Sequence, residues 1–112
     1  MAMKVTVAET MRSLLYVPYY LAITRGTWKR MGLEVDNRLS PDAVTAPRMV
    51  VDGEADIYIG GPARVMMNYH ADDNCPLICF GLIATRNPFV LIGARDNPGF
   101  KLSDLRSMRV GV

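Results

Sequence analysis

The alternation of apolar and polar positions divides the chain into short strands separated by helical stretches. Lys4–Ala8 alternates, with Val5 and Val7 on one face, and reads as a strand. A loop, Glu9–Tyr16, precedes Pro18, which stands where a helix accepts its first residue. The helix Tyr19–Arg25 then meets stop signals at Gly26 and Gly32. Leu33, Val35 and Leu39 alternate with Glu34, Asp36 and Arg38, a half-buried strand with Asn37 as the polar exception on its inner face. Asp42 or Thr45 caps a short helix ending at Asp52-Gly53. Pro47 fits there because first-turn N–H groups lack intrahelical partners. Ile57-Tyr58-Ile59 is a third strand, closed by Gly60-Gly61, and Pro62 starts a helix running to about His70. After the polar loop Asp72-Asp73-Asn74, the apolar run Pro76–Ile83 predicts a fourth strand, of the kind covered on both faces. Beyond it, Phe89–Ala94 reads as a strand and Asp96–Gly99 as a turn. Ser103 can cap a helical turn over Asp104–Ser107, and Arg109–Val112 opens another strand.

Strands joined by helical crossovers define an α/β fold with a parallel (mixed) sheet flanked by helices. Ligands in such folds sit beyond the carboxyl ends of the strands. That rule selects the loops Glu9–Tyr16, Gly60–Arg64 and Ala84–Pro88. In Gly60-Gly61-Pro62-Ala63-Arg64, two glycines permit close backbone approach and the following helix presents free N–H groups. No acidic residue lies between Asp56 and Asp72 to oppose an anion, and Arg64 falls in the first turn. An ordinary strand-to-helix turn with a surface arginine accounts for the same residues. The loop Thr10–Tyr16 offers Arg12, Ser13 and Tyr16, a mixture of polar groups and apolar walls that suits a small organic ligand. The plainer reading is that Leu14, Leu15 and Tyr16 begin a packing face. Tyr19 and Tyr20 are expected at core and rim.

Composition narrows the chemistry. The chain has 112 residues, half of them apolar, which is enough for one core. Thirteen basic and 11 acidic residues leave a net charge of +2, with the basic residues scattered, which argues against nucleic acid as a partner. The charge-free stretches 13–24 and 74–85 are shorter than the roughly 20 residues of a spanning helix. Cys75 and Cys79 on a strand would lie about 13 Å apart, too far for a disulfide, and both are expected to pack as small apolar residues. His70, Asp72, Asp73 and Cys75 match no familiar zinc or calcium spacing and fall where a helix-to-strand loop needs polar groups, so no metal is expected. There is no nucleophile elbow, phosphate loop or dinucleotide fingerprint, so neither catalytic residues nor a cofactor are expected.

Several segments together resemble one family. Leu15-Tyr16-Val17-Pro18-Tyr19-Tyr20-Leu21-Ala22-Ile23-Thr24-Arg25-Gly26 and Trp28-Lys29-Arg30-Met31-Gly32-Leu33-Glu34-Val35 are similar to the opening of type 2 periplasmic solute-binding proteins. The nearest subgroup is the nitrate/sulfonate/taurine and thiamine-pyrimidine-precursor type. Val51-Asp52-Gly53-Glu54-Ala55-Asp56-Ile57, the Gly60-Gly61-Pro62 turn, and Leu102-Ser103-Asp104-Leu105-Arg106 before Arg109-Val110-Gly111-Val112 follow in the family's order. The resemblance implies a non-enzymatic clamshell receptor that hands a small anionic or heteroaromatic solute to the membrane permease of an ABC importer. It implies ligand contacts from Arg12, Ser13, Tyr16, Gly60, Gly61 and Arg64, and from Thr85 and Arg86.

Family members are two to three times this long, so the resemblance implies an incomplete fold. Residues 1–88 would form the first lobe, and residues 89–112 a hinge strand with the start of a second lobe. A single lobe offers half of a ligand's enclosure and an uncovered apolar edge, which leads to weak binding and to a homodimer or other self-association. The resemblance places the protein in the periplasm. Met1-Ala2-Met3-Lys4 leads directly into Val5-Thr6-Val7 without a signal-peptide core, which fits a cytoplasmic protein or one whose export signal has been removed. Two rival readings stand beside the receptor. One is an enzyme on the same fold, a decarboxylase or a pyrimidine-precursor synthase; the other is a lobe that self-associates without ligand. The cleft loops contain no lysine or histidine for proton transfer or cofactor attachment, which weighs against the enzyme.

Overall fold

The structure, a computed structural model, describes residues 1–86 and 89–111. Strands β1 (Met3–Glu9), β2 (Leu33–Leu39) and β3 (Ile57–Ile59) form one parallel sheet in the order β2-β1-β3. A 3-10 turn (Leu14–Tyr16), α1 (Val17–Thr24) and α2 (Thr27–Arg30) join β1 to β2. Helix α3 (Thr45–Val51) joins β2 to β3, and α4 (Pro62–Ala71) follows β3. A second 3-10 segment spans Leu102–Ser107. The α/β architecture and the parallel pairing are those expected from the pattern of elements.

Strand β1 pairs with β2 along its whole length, from Met3↔Leu33 to Glu9↔Leu39, but with β3 only from Val7↔Ile57 to Glu9↔Ile59. Just before that second ladder, Asp56 ties itself to β1. Thr6 N donates to Asp56 Oδ2 at 2.7 Å, and Asp56 N donates to Thr6 O at 2.9 Å. One sheet face packs Val7 and Ile59 on Tyr19, with Val5, Val35, Ile57 and Trp28 around them. On the other face Ala8, Ala46 and Ala55 meet beside Met49, Val50 and Tyr58, small side chains that let α3 lie close to the strands. Crossovers on opposite faces are what right-handed connections demand when β2 and β3 flank β1 on either side. Gly26 and Gly32 have φ of +63° and +78°, so both stop signals are left-handed turns that favour glycine. Val44, rather than Asp42 or Thr45, occupies the N-cap position of α3, and no side chain caps it; Asp42 instead closes the turn that leads into the helix, its Oδ1 accepting from the N–H groups of Thr45 (2.7 Å) and Val44 (2.8 Å), which holds its carboxyl below the ordinary value.

The later part of the chain departs from expectation. Pro76–Ile83 is irregular rather than a fourth strand, because no neighbouring strand among the described residues takes up its backbone groups. Only Leu77 is held, buried and accepting a hydrogen bond from the Tyr69 hydroxyl at 2.9 Å. Phe89–Ala94 and Arg109–Gly111 are likewise irregular, and Val112 lies outside the described residues. The turn near the end is a 3-10 segment beginning two residues before Asp104. Lys101 N donates to Asp104 Oδ2 there, so Lys101 rather than Ser103 occupies the capping position. Cys75 is buried as expected, but Cys79 is exposed because the segment carrying it is uncovered; both thiols are free.

Candidate functional site

In a sheet of order β2-β1-β3 the chain switches direction at β1 and β3, and open α/β sheets as a class bind ligands in the crevice beyond the carboxyl ends at such a switch point. Glu9, the last residue of β1, continues the inward alternation of Val5 and Val7 and is completely buried. An isolated carboxylate there would lose several kcal/mol of solvation. Three donors offset the loss. The Tyr20 hydroxyl donates to Glu9 Oε1, Asn37 Nδ2 donates to Oε2 at 2.9 Å, and Arg12 Nη1 lies 3.0 Å from Oε2. Asn37, the polar exception of β2, is in turn fixed by the Tyr19 hydroxyl, which donates to its Oδ1 at 2.9 Å. The Arg12 side chain is 61% exposed, so its remaining N–H groups stay available, and its guanidinium carbon lies 5.8 Å from the centre of the Tyr20 ring.

Ser13 begins the 3-10 turn: its Oγ accepts from Leu15 N at 3.2 Å, while its own N–H donates to the Tyr20 hydroxyl at 3.2 Å. The turn carries Tyr16 to Tyr20, edge to face with ring centres 6.5 Å apart. Thr10 is buried and clamps β1 to the end of β3, its hydroxyl donating to Ile59 O at 2.7 Å. Beyond β3 the Tyr58 ring occupies the space that a Cβ at Gly60 would need, and the Tyr58 hydroxyl donates to Gly61 O at 3.2 Å. The close approach permitted by Gly60 is therefore used by the protein's own tyrosine, whereas the backbone of Gly61 faces open space. Gly61 also precedes α4, whose first turn carries Pro62 and no acidic residue.

The aromatic groups stay protonated well above neutral pH. Burial, and then the charge of Glu9, pushes the Tyr19 phenol up to about 12. Tyr16 is raised by burial and by Tyr58, Tyr20 and Glu9; Tyr20 is raised by burial and its bond to Glu9. Burial also raises Tyr58, against opposing influences from Thr10 and Arg64. Tyr16, Tyr20 and Tyr58 thus offer neutral phenols near two cations, Arg12, already paired with a carboxylate, and Arg64.

The structure brings Arg12, Ser13 and Tyr16 into one network and sets Gly60 and Gly61 beside it through Tyr58. Arg64 is half-buried on the first turn of α4, close enough to influence both Asp42 and Tyr58. Thr85 and Arg86 are exposed in irregular chain and share no hydrogen bond or ion pair with the cluster; Asn87 and Pro88 of that loop lie outside the described residues. Asp72 organises the turn after α4, its Oδ1 accepting from Asn74 N at 2.9 Å. Among the described residues no group of His, Cys, Asp and Glu is arranged to hold a metal. Glu9 and Tyr20 escaped sequence reasoning as site residues, although an acidic residue at an inward position of a strand end was a signal. A separate hollow of about 410 Å³, at the amino ends of β1 and β2, is lined by Ile23, Trp28, Leu33 and Val35 together with the charged Lys29 and Glu34, and the buried Trp28 Nε1 has no hydrogen-bond partner among the described residues.

A three-stranded parallel sheet with helices on both faces, and polar and aromatic side chains gathered at its switch point, is consistent with an incomplete lobe of the periplasmic-binding type. The NMT1/THI5 like family model matches residues 15–112, and the chain belongs to that type 2 periplasmic-binding-like family. No curated protein and no solved structure matches it.

Proposed function

We propose that this chain is one lobe of a receptor that binds a small anionic or heteroaromatic solute without altering it and, in bilobal form, delivers it to an ABC importer from the periplasm. The observation that carries the reading is the buried Glu9 carboxylate, held at the switch point by Tyr20, Asn37 and Arg12. That network fixes the Arg12 guanidinium at the rim while leaving donors free to a ligand. Tyr16 and Tyr20 provide aromatic surface, and the first turn of α4 with Gly61 and Arg64 provides N–H groups and positive charge for a polar or anionic part. Residues 1–88 act as the first lobe, and residues 89–112 as the connection toward a second. With one jaw only, binding by the isolated chain is weak, in the millimolar range.

Solution NMR titration with nitrate, taurine and the hydroxymethylpyrimidine precursor of thiamine tests this reading. One of the three should saturate, and Arg64→Ala should weaken it about tenfold, roughly 1.4 kcal/mol, with the melting temperature unchanged. Failure of all three to saturate, or an Arg64→Ala variant that binds as well as the parent, contradicts it.

A further inference from the structure

Three guanidinium groups stand at the carboxyl ends of the strands, and each has a carboxylate beside it. Arg12 Nη1 lies 3.0 Å from Glu9 Oε2. At the end of β2, Arg38 Nη2 lies 2.8 Å from Asp36 Oδ2. Arg64, on the first turn of α4, is close enough to act on the Asp42 carboxyl, which the N–H groups of Thr45 and Val44 already hold low. The Tyr16, Tyr20 and Tyr58 phenols stay protonated and add no charge. These three cations and three anions cancel.

Glu9 differs from the other two acids in its burial. Asp36 and Asp42 are exposed, so water and salt weaken their fields. Glu9 is completely buried, and its charge is screened far less. An anion that takes the free N–H groups of Arg12 approaches a cation already matched by a carboxylate, and meets the repulsion of Glu9 behind it. A solute whose charges sum to zero takes the same donors without that repulsion.

On the solute-binding reading above, on which this step rests, we propose that Glu9 is a specificity-determining residue: its buried charge turns the tip of the sheet against anions and toward solutes without net charge. Asn37 offers a way to separate charge from hydrogen bonding. Its Nδ2 donates to Glu9 Oε2 at 2.9 Å, and its Oδ1 accepts from the Tyr19 hydroxyl. Exchanging the two side chains, Glu9→Gln together with Asn37→Asp, keeps an amide beside a carboxylate, keeps an acceptor for Tyr19, and keeps one negative charge in the network.

NMR titration of the full chain with nitrate, taurine and the hydroxymethylpyrimidine precursor of thiamine reads the preference. Taurine, a zwitterion, or the uncharged pyrimidine should bind about tenfold tighter than nitrate. Glu9→Gln should move that ratio about tenfold toward nitrate, and the exchanged pair should return it to within about threefold of the parent. Nitrate binding as tightly as both other probes, or more tightly, overturns the proposal and leaves the receptor reading standing. A ratio that Glu9→Gln does not change overturns it too. So does an exchanged pair that shifts the ratio as far as Glu9→Gln alone, since hydrogen bonding rather than charge would then set the preference. Saturation by none of the three overturns the receptor reading and this proposal with it. The comparison within the parent chain needs no variant, so a Glu9→Gln chain that fails to fold still leaves the proposal open to refutation.

Discussion

Glu9 is the residue on which the site turns. Its neighbours are arranged to keep a carboxylate inside the protein, and each also serves elsewhere. Arg12 stands at the rim, Tyr20 belongs to the aromatic wall, and Asn37 locks α1 to β2 through Tyr19. Tyr20→Phe removes one donor from a fully buried acceptor and should cost roughly 1.5–3 kcal/mol, read as a lowered denaturation midpoint. A second outcome follows from Tyr19. In the unfolded chain its phenol titrates near 10, and in the fold near 12, so the folded state favours the protonated form. That contribution to stability is complete below pH 10 and disappears as pH rises toward 12. Denaturation midpoints followed alongside tyrosinate absorbance should fall across that window, and a flat profile would contradict the placement of Tyr19. At this scale Asn37 was legible as an inward polar residue. Glu9 was not, because the apolar alternation stops at Ala8 and the carboxylate reads as the first residue of the loop.

Among the elements, the three paired strands and α1, α3 and α4 were legible because each carries its own punctuation. Gly26, Gly32 and Gly60 stop elements; Pro18 and Pro62 start them; Asp42 closes the turn into α3. The apolar run Pro76–Ile83 carries an equally clear strand pattern yet forms none, since a strand exists only with a partner for its backbone, and composition cannot show that. Asp56 shows the opposite case, a side chain standing in for a ladder. It accepts from Thr6 N one residue before β3 begins, prolonging the junction of β1 and β3 beneath the site. Asp56→Ala should therefore cost about 1 kcal/mol in equilibrium unfolding, and amide exchange at Thr6 should accelerate. Unchanged exchange at Thr6 would show that the side chain adds nothing to the ladder.

Seen whole, the molecule is a small sheet with an uncovered tail. Its radius of gyration is 18.1 Å, against about 13 Å for a compact chain of this length, and its extents are 60 × 38 × 23 Å. Beyond α4 large apolar side chains stand uncovered: Ile78, Phe80, Leu82, Phe89, Val90 and Ile92 are all exposed. The two core clusters and the candidate site, by contrast, are built within residues 3–64, with Cys75 and Leu77 the apolar residues buried beyond α4. Among the described residues no helix is long and apolar enough to cross a membrane. The family supports a solute-binding or related role, and the position of the site follows from the strand order.

Small-molecule binding at the carboxyl ends of β1 and β3 is the central claim. Amide-resolved NMR of the 112-residue chain, with the probe that saturates, tests it most directly. The largest shifts should fall on residues 10–16 and 61–64, with the signals of the amino-terminal hollow around Trp28 and Leu33 unmoved. Shifts centred on that hollow, or spread over residues 76–86 with the strand tips silent, would contradict it.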